Sequence, residues 1–287
     1  MREVLAMHKT WHLFLLLILF LSGRALANDT LGMVKGGNLV PKKTEDVSMV
    51  SESLFVSKEK IRVEYEFRNN SDKPVEGIVL FPLMEFFSVQ PYPFDTREFE
   101  KNKDPLGFSV KAGGAVIPVR IDKKKICIDK KNDVYQLNVQ YYWNYTFPPQ
   151  QSVRVEHSYL PVAGSGGLSE EDKRNYCIDS AFEKDFKNLS AKLGRNIGEN
   201  ENLLEYMHYH SFAHIGYILK TAKNWAGPIQ NFKLVIEKPS PGSLVSTCWK
   251  GLKKINKTQF EFERKNFIPS QDLNVLFVDD AVEDVPR

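Results

Sequence analysis

The feature that most constrains the fold is the run VYQLNVQYYWNYTF at 134–147, in which large apolar side chains occupy every second position. A β-strand places alternate side chains on opposite faces of a sheet, so this spacing gives a strand with one apolar and one polar face. Aromatic residues suit such a half-buried surface. They would also suit carbohydrate stacking, but strict alternation favours core packing. Tyr142 is the exception: it lies on the polar face and is a candidate ligand or partner contact.

The same alternation recurs along most of the chain. IRVEYEF at 61–67 and VEGIVLF at 75–81 are predicted strands, and the polar turn NNSDKP between them predicts a hairpin. SVRVEHSYLPV continues the pattern at 152–162. Further strands are predicted in HIGYILKT, FKLVIEKP, QFEFERKNF and DLNVLFV, with the last two forming a hairpin around Pro269-Ser270. Antiparallel neighbours are expected throughout.

One helical segment interrupts the strands. GSGG at 164–167 ends the β pattern, and AFEKDFKNLSAKL at 181–193 then repeats apolar residues at helical spacing, with Asp179 or Ser180 as the N-cap and Gly194 as the stop. Strands do not alternate regularly with helices, so the predicted fold class is mainly β with a helical insert (α+β), an antiparallel β-sandwich architecture with two packed β-sandwich halves.

The predicted organisation divides the chain into five parts. They are a signal peptide at 1–27, an N-terminal β-sandwich region at 28–165, a helical insert at 166–212, a C-terminal β region at 213–278 that packs on the first, and an acidic tail at 279–287.

The amino terminus has the order of a secretory signal. Basic residues Arg2 and Lys9 precede the apolar run LFLLLILFL, and small residues follow in Ala25-Leu26-Ala27. The apolar run is shorter than the about 20 residues that a permanent span needs. We therefore expect cleavage before Asn28 and an exported protein, periplasmic or secreted, with no transmembrane segment after signal removal.

Charge and motifs exclude several function classes. The chain has 39 basic and 36 acidic residues, and residues 1–27 hold three of the former and one of the latter, so the mature charge is about +1. Such a balance predicts no nucleic-acid partner. The motifs GxSxG, HExxH and GxxxxGK[ST] are all absent, which predicts no catalytic residues and no cofactor.

Metal binding has one set of candidates, His208, His210 and His214 in HYHSFAH. Two of them share a face whether the segment is a strand or a helix. Glu205 is the only visible further ligand, so the sequence favours a polar loop and predicts no metal site. His157, on a predicted strand, is more typical of a hydrogen-bonded structural residue than of a catalyst.

Three cysteines, Cys127, Cys177 and Cys248, lie in the predicted mature chain. Export favours a disulfide, and an odd count leaves one thiol over. The spacing leaves the pairing open. Zinc is the weaker interpretation because no CxxC pattern is present.

The segment KTAKNWAGPIQNF, at 220–232, passes from one predicted strand to the next. Trp225 is either a surface contact for a ligand or an indole folded back over a tight corner. The short connection and the usual burial of tryptophan favour the corner.

Several of these segments together resemble a bacterial family, domain of unknown function 4424. The resemblance rests on SMVSESLFVSKEKIRVEYEFRNNSDKPVEGIVLFP, YYWNYTFPPQQSVRVEHSYLPVAG, YCID, YILKTAKNWAGPIQNFKLVIEK and LVSTCW, in that order. It implies an exported envelope or extracellular protein without an assigned activity. It also implies a disulfide between Cys177 and Cys248, which lie in family-like segments, and a free thiol at Cys127. A second likeness, to the vault/inter-alpha-trypsin β-sandwich module, concerns the fold alone.

Two function hypotheses follow. The preferred one is a non-catalytic binding or scaffolding module with an unknown protein or glycan partner, and an exposed β edge favours a homodimer. It predicts an exposed aromatic patch and no buried cluster of titratable groups with perturbed pKa; the patch would draw on Tyr92, Phe94, Tyr142 and Trp225. The alternative is a hydrolase that acts on an envelope polymer, with or without the assistance of a metal ion. It requires at least two groups to share a pocket, drawn from neighbouring carboxylates and four histidines: His157, His208, His210 and His214.

Overall fold

The computed structural model describes residues 28–35, 38–83, 86–87, 104–132, 134–161, 168–198, 201, 203–207 and 210–280. In chain order its strands are β1 (Thr30–Lys35), β2 (Asn38–Lys42), β3 (Val47–Val56), β4 (Ile61–Asn69), β5 (Val75–Pro82), β6 (Phe86–Phe87), β7 (Ser109–Ala112), β8 (Ala115–Val116), β9 (Arg120–Asp129), β10 (Val134–Phe147), β11 (Ser152–Tyr159), β12 (Phe212–Tyr217), β13 (Ile229–Glu237), β14 (Leu244–Ser246), β15 (Lys253–Lys254), β16 (Gln259–Phe267) and β17 (Leu273–Val278). The helices are α1 (Glu170–Tyr176), α2 (Ser180–Lys192), α3 (Leu203–Met207) and a 3₁₀ helix, Lys220–Asn224.

These strands form three sheets. The first follows the order β2-β1-β5-β10-β6, with β9 on the other edge of β10, and the second follows β15-β16-β13-β3-β4-β11-β7-β8. The third is β12-β17-β14. All pairings are antiparallel except that of β13 with β3, which is parallel. The predicted mainly β, sandwich-like α+β fold is confirmed.

The first two sheets face each other across an aromatic core. Alternate residues of β10, including Tyr141 and Trp143, are buried, as the period of two predicts. The ring of Trp143 lies 5.2 Å from that of His157 on β11, and Phe81 on β5 lies 5.4 Å from Tyr159 on β11. These contacts join the inner faces of the two sheets, the arrangement of a β-sandwich.

The third sheet is a middle layer with both faces covered. On β17, Val275 and Phe277 belong to the main core, whereas Leu276 and Val278 belong to a second core. That second core also contains Phe186 of α2. Helix α2 begins after the N-cap Asp179, whose side chain accepts a hydrogen bond from the Phe182 amide, as the sequence predicts.

Both predicted hairpins are wrong. β4 pairs with β3 and β11 in the second sheet, while β5 pairs with β1 and β10 in the first, so the NNSDKP turn carries the chain across the core. β16 and β17 likewise lie in different sheets. Alternation establishes that a segment is a strand with one buried face, but it does not determine which strand lies beside it.

The predicted acidic tail is described only at its start. The Lys58 ammonium forms an ion pair with Asp279, and the Ser240 hydroxyl donates to Asp280 Oδ2 at 2.6 Å. Residues 281–287 lie outside the described part of the chain.

Candidate functional site

The loop that carries Trp225 is a buried corner. After the 3₁₀ helix Lys220–Asn224, the Trp225 indole is 1% exposed and packs on Phe67 at 4.4 Å and Phe147 at 6.0 Å between ring centroids. Its Nε1 donates a hydrogen bond to the Asp29 carbonyl at 2.6 Å. The surface-contact interpretation of Trp225 is therefore wrong, because both the ring and its only polar atom are committed to the interior.

Of the remaining residues in the predicted aromatic patch, the structure describes only Tyr142. Tyr142 is half-buried on β10, where it pairs with Leu80 of β5 and Arg120 of β9. A role for Tyr142 as a ligand or partner contact stays a prediction. Tyr92 and Phe94 lie outside the described residues.

A cluster of polar side chains lies inside the main core. We name it the buried polar cluster, and its members are Asn28, Asp29, Glu52, Tyr65, His157 and Tyr217, each at most 1% exposed. The Asn28 amide Nδ2 donates to Glu52 Oε2 at 3.1 Å, and the Tyr217 hydroxyl donates to Glu52 Oε1 at 3.4 Å. The hydroxyls of Tyr65 and Tyr217 are 2.8 Å apart.

Asp29 and His157 are the least satisfied pair in this cluster. His157 Nε2 lies 3.4 Å from Asp29 Oδ2, yet neither carboxyl oxygen and neither ring nitrogen has a well-formed hydrogen bond within the described residues. The two groups are close enough for an ion pair, but their orientation does not form a hydrogen bond.

Burial shifts the pKa of every acid and base in the cluster toward the neutral form. It raises the pKa of Glu52 to about 8, against the opposing hydrogen bonds from Asn28 and Tyr217. It also raises the pKa of Asp29, with a further contribution from the nearby Glu52 charge, and lowers the pKa of His157 to about 3. No described group around these acids supplies a positive charge that would oppose the effect of burial.

This cluster contradicts one expectation of the binding-module hypothesis, that no buried group of titratable residues with perturbed pKa would exist. A sequence signal for it was present. Glu52 shares the inward face of β3 with Leu54 and Val56, and His157 shares the inward face of β11 with Val153 and Val155. An acid at an apolar position of a strand is the pattern that could have identified Glu52.

The histidines do not converge within the described residues. His157 lies in the main core, whereas His210 Nε2 lies 2.9 Å from the Ser190 hydroxyl of α2 in the second core region. The ring of His214 on β12 lies 4.9 Å from that of Tyr176. The hydrolase hypothesis therefore lacks a pair of histidines among these three, and His208 lies outside the described residues. A histidine does meet carboxylates in the buried polar cluster, where His157 lies 3.4 Å from Asp29 with Glu52 nearby. Each of those three residues is at most 1% exposed.

The wider set of metal-binding residue types is separated in the same way as the histidines. No group of three or more histidine, cysteine, aspartate or glutamate side chains in that part of the chain could hold a metal ion. Burial, followed by the charge of Arg195, lowers the pKa of His210, so its ring is neutral at neutral pH. The hydrogen bond with Ser190 satisfies Nε2 of this neutral ring, as expected for a structural histidine.

The three cysteines take the arrangement that the family resemblance implies. Cys177, directly after α1, is bonded to Cys248, which follows β14, and Cys127 is an exposed free thiol on β9. The Ser246 hydroxyl donates to the Tyr176 carbonyl at 2.8 Å beside the bridge. The helical layer is thus tied covalently to the region after β14.

An open pocket of about 340 Å³ lies against this bridge, and we name it the disulfide pocket. It is lined by Cys177, Asp179, Phe182, Asp185, Ile236, Val245, Ser246, Thr247, Trp249, Leu252 and Phe260. Trp249 is 8% exposed, and its buried Nε1 has no hydrogen-bond partner in the described structure. Asp179 and Asp185 are exposed at the rim. The pocket thus combines apolar and aromatic lining residues with two carboxylate acceptors at its rim.

Together these features define a class: a disulfide-linked, mainly β protein with two facing sheets and a covered third sheet. A family model described as "Domain of unknown function (DUF4424)" matches residues 27–134 and 109–276. The chain belongs to this family. No curated protein matches the sequence.

Among solved structures, a candidate nutrient-binding protein from Legionella pneumophila is similar at a TM-score of 0.48 and 15% sequence identity. The match covers 87% of this chain and 72% of that chain. None of these comparisons tests the likeness to the vault/inter-alpha-trypsin module, which stays a prediction.

Proposed function

We propose that this protein is a non-catalytic binding module of the bacterial envelope or extracellular space, and that it binds a sugar unit of an envelope glycan in the disulfide pocket. The observation that carries the proposal is the lining of that pocket, in which the Trp249 ring and Phe260 lie together with the exposed carboxylates of Asp179 and Asp185.

The pocket chemistry suits a sugar ring. The volume of about 340 Å³ lies in the range of small-molecule sites. Leu252, Phe260 and the Trp249 ring offer an apolar surface to the C–H face of a sugar, while the carboxylates of Asp179 and Asp185 accept hydrogen bonds from hydroxyl groups. A protein partner that inserts one side chain would use the same polar groups of the pocket. Titration with oligosaccharides therefore tests the glycan directly.

Export is part of the proposal. A disulfide persists in oxidising compartments such as the periplasm or the extracellular space, which supports the predicted signal peptide. Within the described residues, no helix is both long enough and apolar enough to cross a bilayer.

The test is calorimetric titration of the oxidised chain 28–287 with soluble oligosaccharide fragments of the bacterial envelope. Asp185→Asn removes the charge of an exposed rim acceptor and should leave stability unchanged, and Trp249→Phe reduces the aromatic surface of the pocket. Asp72→Asn, an exposed position in the turn after β4, is the matched control. We expect saturable binding that both pocket variants weaken by about tenfold, which corresponds to a loss of about 1.4 kcal/mol, and that the control retains.

Binding that survives in both pocket variants would contradict the site. No heat from any oligosaccharide, with folding confirmed by circular dichroism, would contradict the ligand class.

A further inference from the structure

The first residues after the predicted signal peptide are held inside the protein. Asn28, Asp29 and Thr30 are each fully buried. The Thr221 hydroxyl donates to the Asn28 carbonyl at 3.1 Å, and Trp225 Nε1 donates to the Asp29 carbonyl. The Asn224 amide Nδ2 donates to the Thr30 hydroxyl at 3.1 Å, so one loop clamps three consecutive residues.

Among the described residues, no lysine or arginine shifts the pKa of Asp29 or of Glu52. Burial is the main cause of both shifts, and the Glu52 charge raises the pKa of Asp29 further. Asn28 Oδ1, both Asp29 carboxyl oxygens and both His157 nitrogens have no hydrogen-bond partner among the described residues. Buried acceptors in this number are costly unless a donor reaches them.

We propose that the buried polar cluster is the binding site for the α-amino group of Asn28, which hydrolysis of the Ala27–Asn28 peptide bond creates. The proposal goes beyond glycan binding and rests on the predicted signal peptide. In that hydrolysis, catalysed by an endopeptidase of the export machinery, water gives its hydroxyl to the Ala27 carbonyl carbon and a hydrogen to the Asn28 nitrogen. The new amine then takes up a proton, since an α-amino group has an ordinary pKa near about 8.

An ammonium group matches what the cluster lacks. It brings a positive charge and three N–H donors to a region with two acids and several unpaired acceptors. Asn28 Nδ2 already lies 3.1 Å from Glu52 Oε2, and the α-nitrogen of the same residue is connected to Nδ2 through only Cα, Cβ and Cγ. Covalent geometry therefore keeps the amino group within about 8 Å of Glu52 Oε2.

The sequence supports the same position independently. Alanines at 25 and 27 give the small-residue pattern that predicts cleavage directly before Asn28. In an uncleaved chain the α-nitrogen is an uncharged amide, and the acids of the cluster stay without a counter-charge. Cleavage during export thus supplies the counter-charge for the acids of the cluster, and the loop 220–225 holds the new terminus.

The first experiment compares the chain 28–287 with the chain 27–287, which keeps Ala27 and moves the amino group one residue outward. Both are prepared oxidised, and intact mass verifies each terminus. We expect the extra alanine to lower Tm by about 5 °C or more, because a buried ion pair is lost. In the Glu52→Gln background the same alanine should lower Tm much less, since the carboxylate partner is gone. One alanine added after Arg287 is the matched control and should leave Tm unchanged.

The second experiment keeps the idea testable if Glu52→Gln does not fold. The α-amine of the unaltered chain 28–287 is labelled with an amine-acylating reagent, with and without urea. We expect labelling of the folded protein to be slower by about tenfold or more, as for a group that reacts only after opening. Equal Tm values for the two chains, equal labelling rates, or an exported protein whose terminus is not Asn28 would each overturn the proposal.

Discussion

Trp225→Phe is the substitution that most directly tests the packing of the loop 220–232. Trp225 is the largest fully buried side chain, and its indole contacts Phe67 and Phe147 while donating to the Asp29 carbonyl at 2.6 Å. Phenylalanine keeps an aromatic ring but removes the donor, and it leaves a void where the second indole ring lay.

The expected cost follows from those two losses. A buried carbonyl left without its donor costs about 1–3 kcal/mol. The void adds about 1 kcal/mol, because close-packed neighbours relax only partly. The free energy of unfolding should therefore fall by about 3 kcal/mol, which corresponds to a Tm lower by about 6–12 °C for a chain of this size.

Urea unfolding followed by circular dichroism measures this difference, and Tyr142→Phe is the control. Tyr142 is half-buried on the outward side of β10, so its substitution should change the free energy of unfolding by less than about 0.5 kcal/mol. If Trp225→Phe unfolds at the same urea concentration as the unaltered protein, the assignment of Trp225 to the core is refuted. Loss of oligosaccharide binding without loss of stability would restore its surface role.

Three further predictions concern the disulfide bridge and two buried histidines. Reduction of the Cys177–Cys248 bridge, which closes a separation of 71 residues, should lower the free energy of unfolding by about 4 kcal/mol on the chain-entropy account, measured by urea unfolding with and without dithiothreitol. His157→Phe should reduce the loss of stability at acid pH. The folded pKa of His157 is about 3 and the unfolded one about 6.5, so the unaltered protein should lose stability as pH falls through that window, and the variant should lose less. A wild-type-like acid profile in the variant would contradict this. Ser190→Ala should cost about 1–3 kcal/mol by leaving His210 Nε2 unpaired, and an unchanged unfolding midpoint would show that another group satisfies that nitrogen.

Much of the local structure follows from side-chain spacing. The period of two in β10 and β4 predicts both the strands and the residues that they bury, and Asp179 with the apolar residues of α2 predicts that helix. These features depend on the geometry of one segment, which repeats every two residues in a strand and about every 3.6 in a helix. The signal-like amino terminus and the cysteine count are equally local properties.

Which strands pair with each other was determined only by the tertiary structure. A turn such as NNSDKP can close a hairpin or carry the chain to the opposite sheet, and which of these occurs depends on where the remaining strands pack. The buried polar cluster has the same origin, because Asp29, Glu52 and His157 come from three distant segments that meet only when β1, β3 and β11 share one core.

The sequence by itself determined the class of fold, the main helix, the preference for a buried Trp225, and eight strands with their buried faces: β4, β5, β10, β11, β12, β13, β16 and β17. Tertiary structure decided the crossing of the core between β4 and β5 and the gathering of the acids around Asn28. The physical reason is that hydrophobic periodicity acts within a single element, whereas pairing and the satisfaction of buried polar groups depend on residues far apart in the chain.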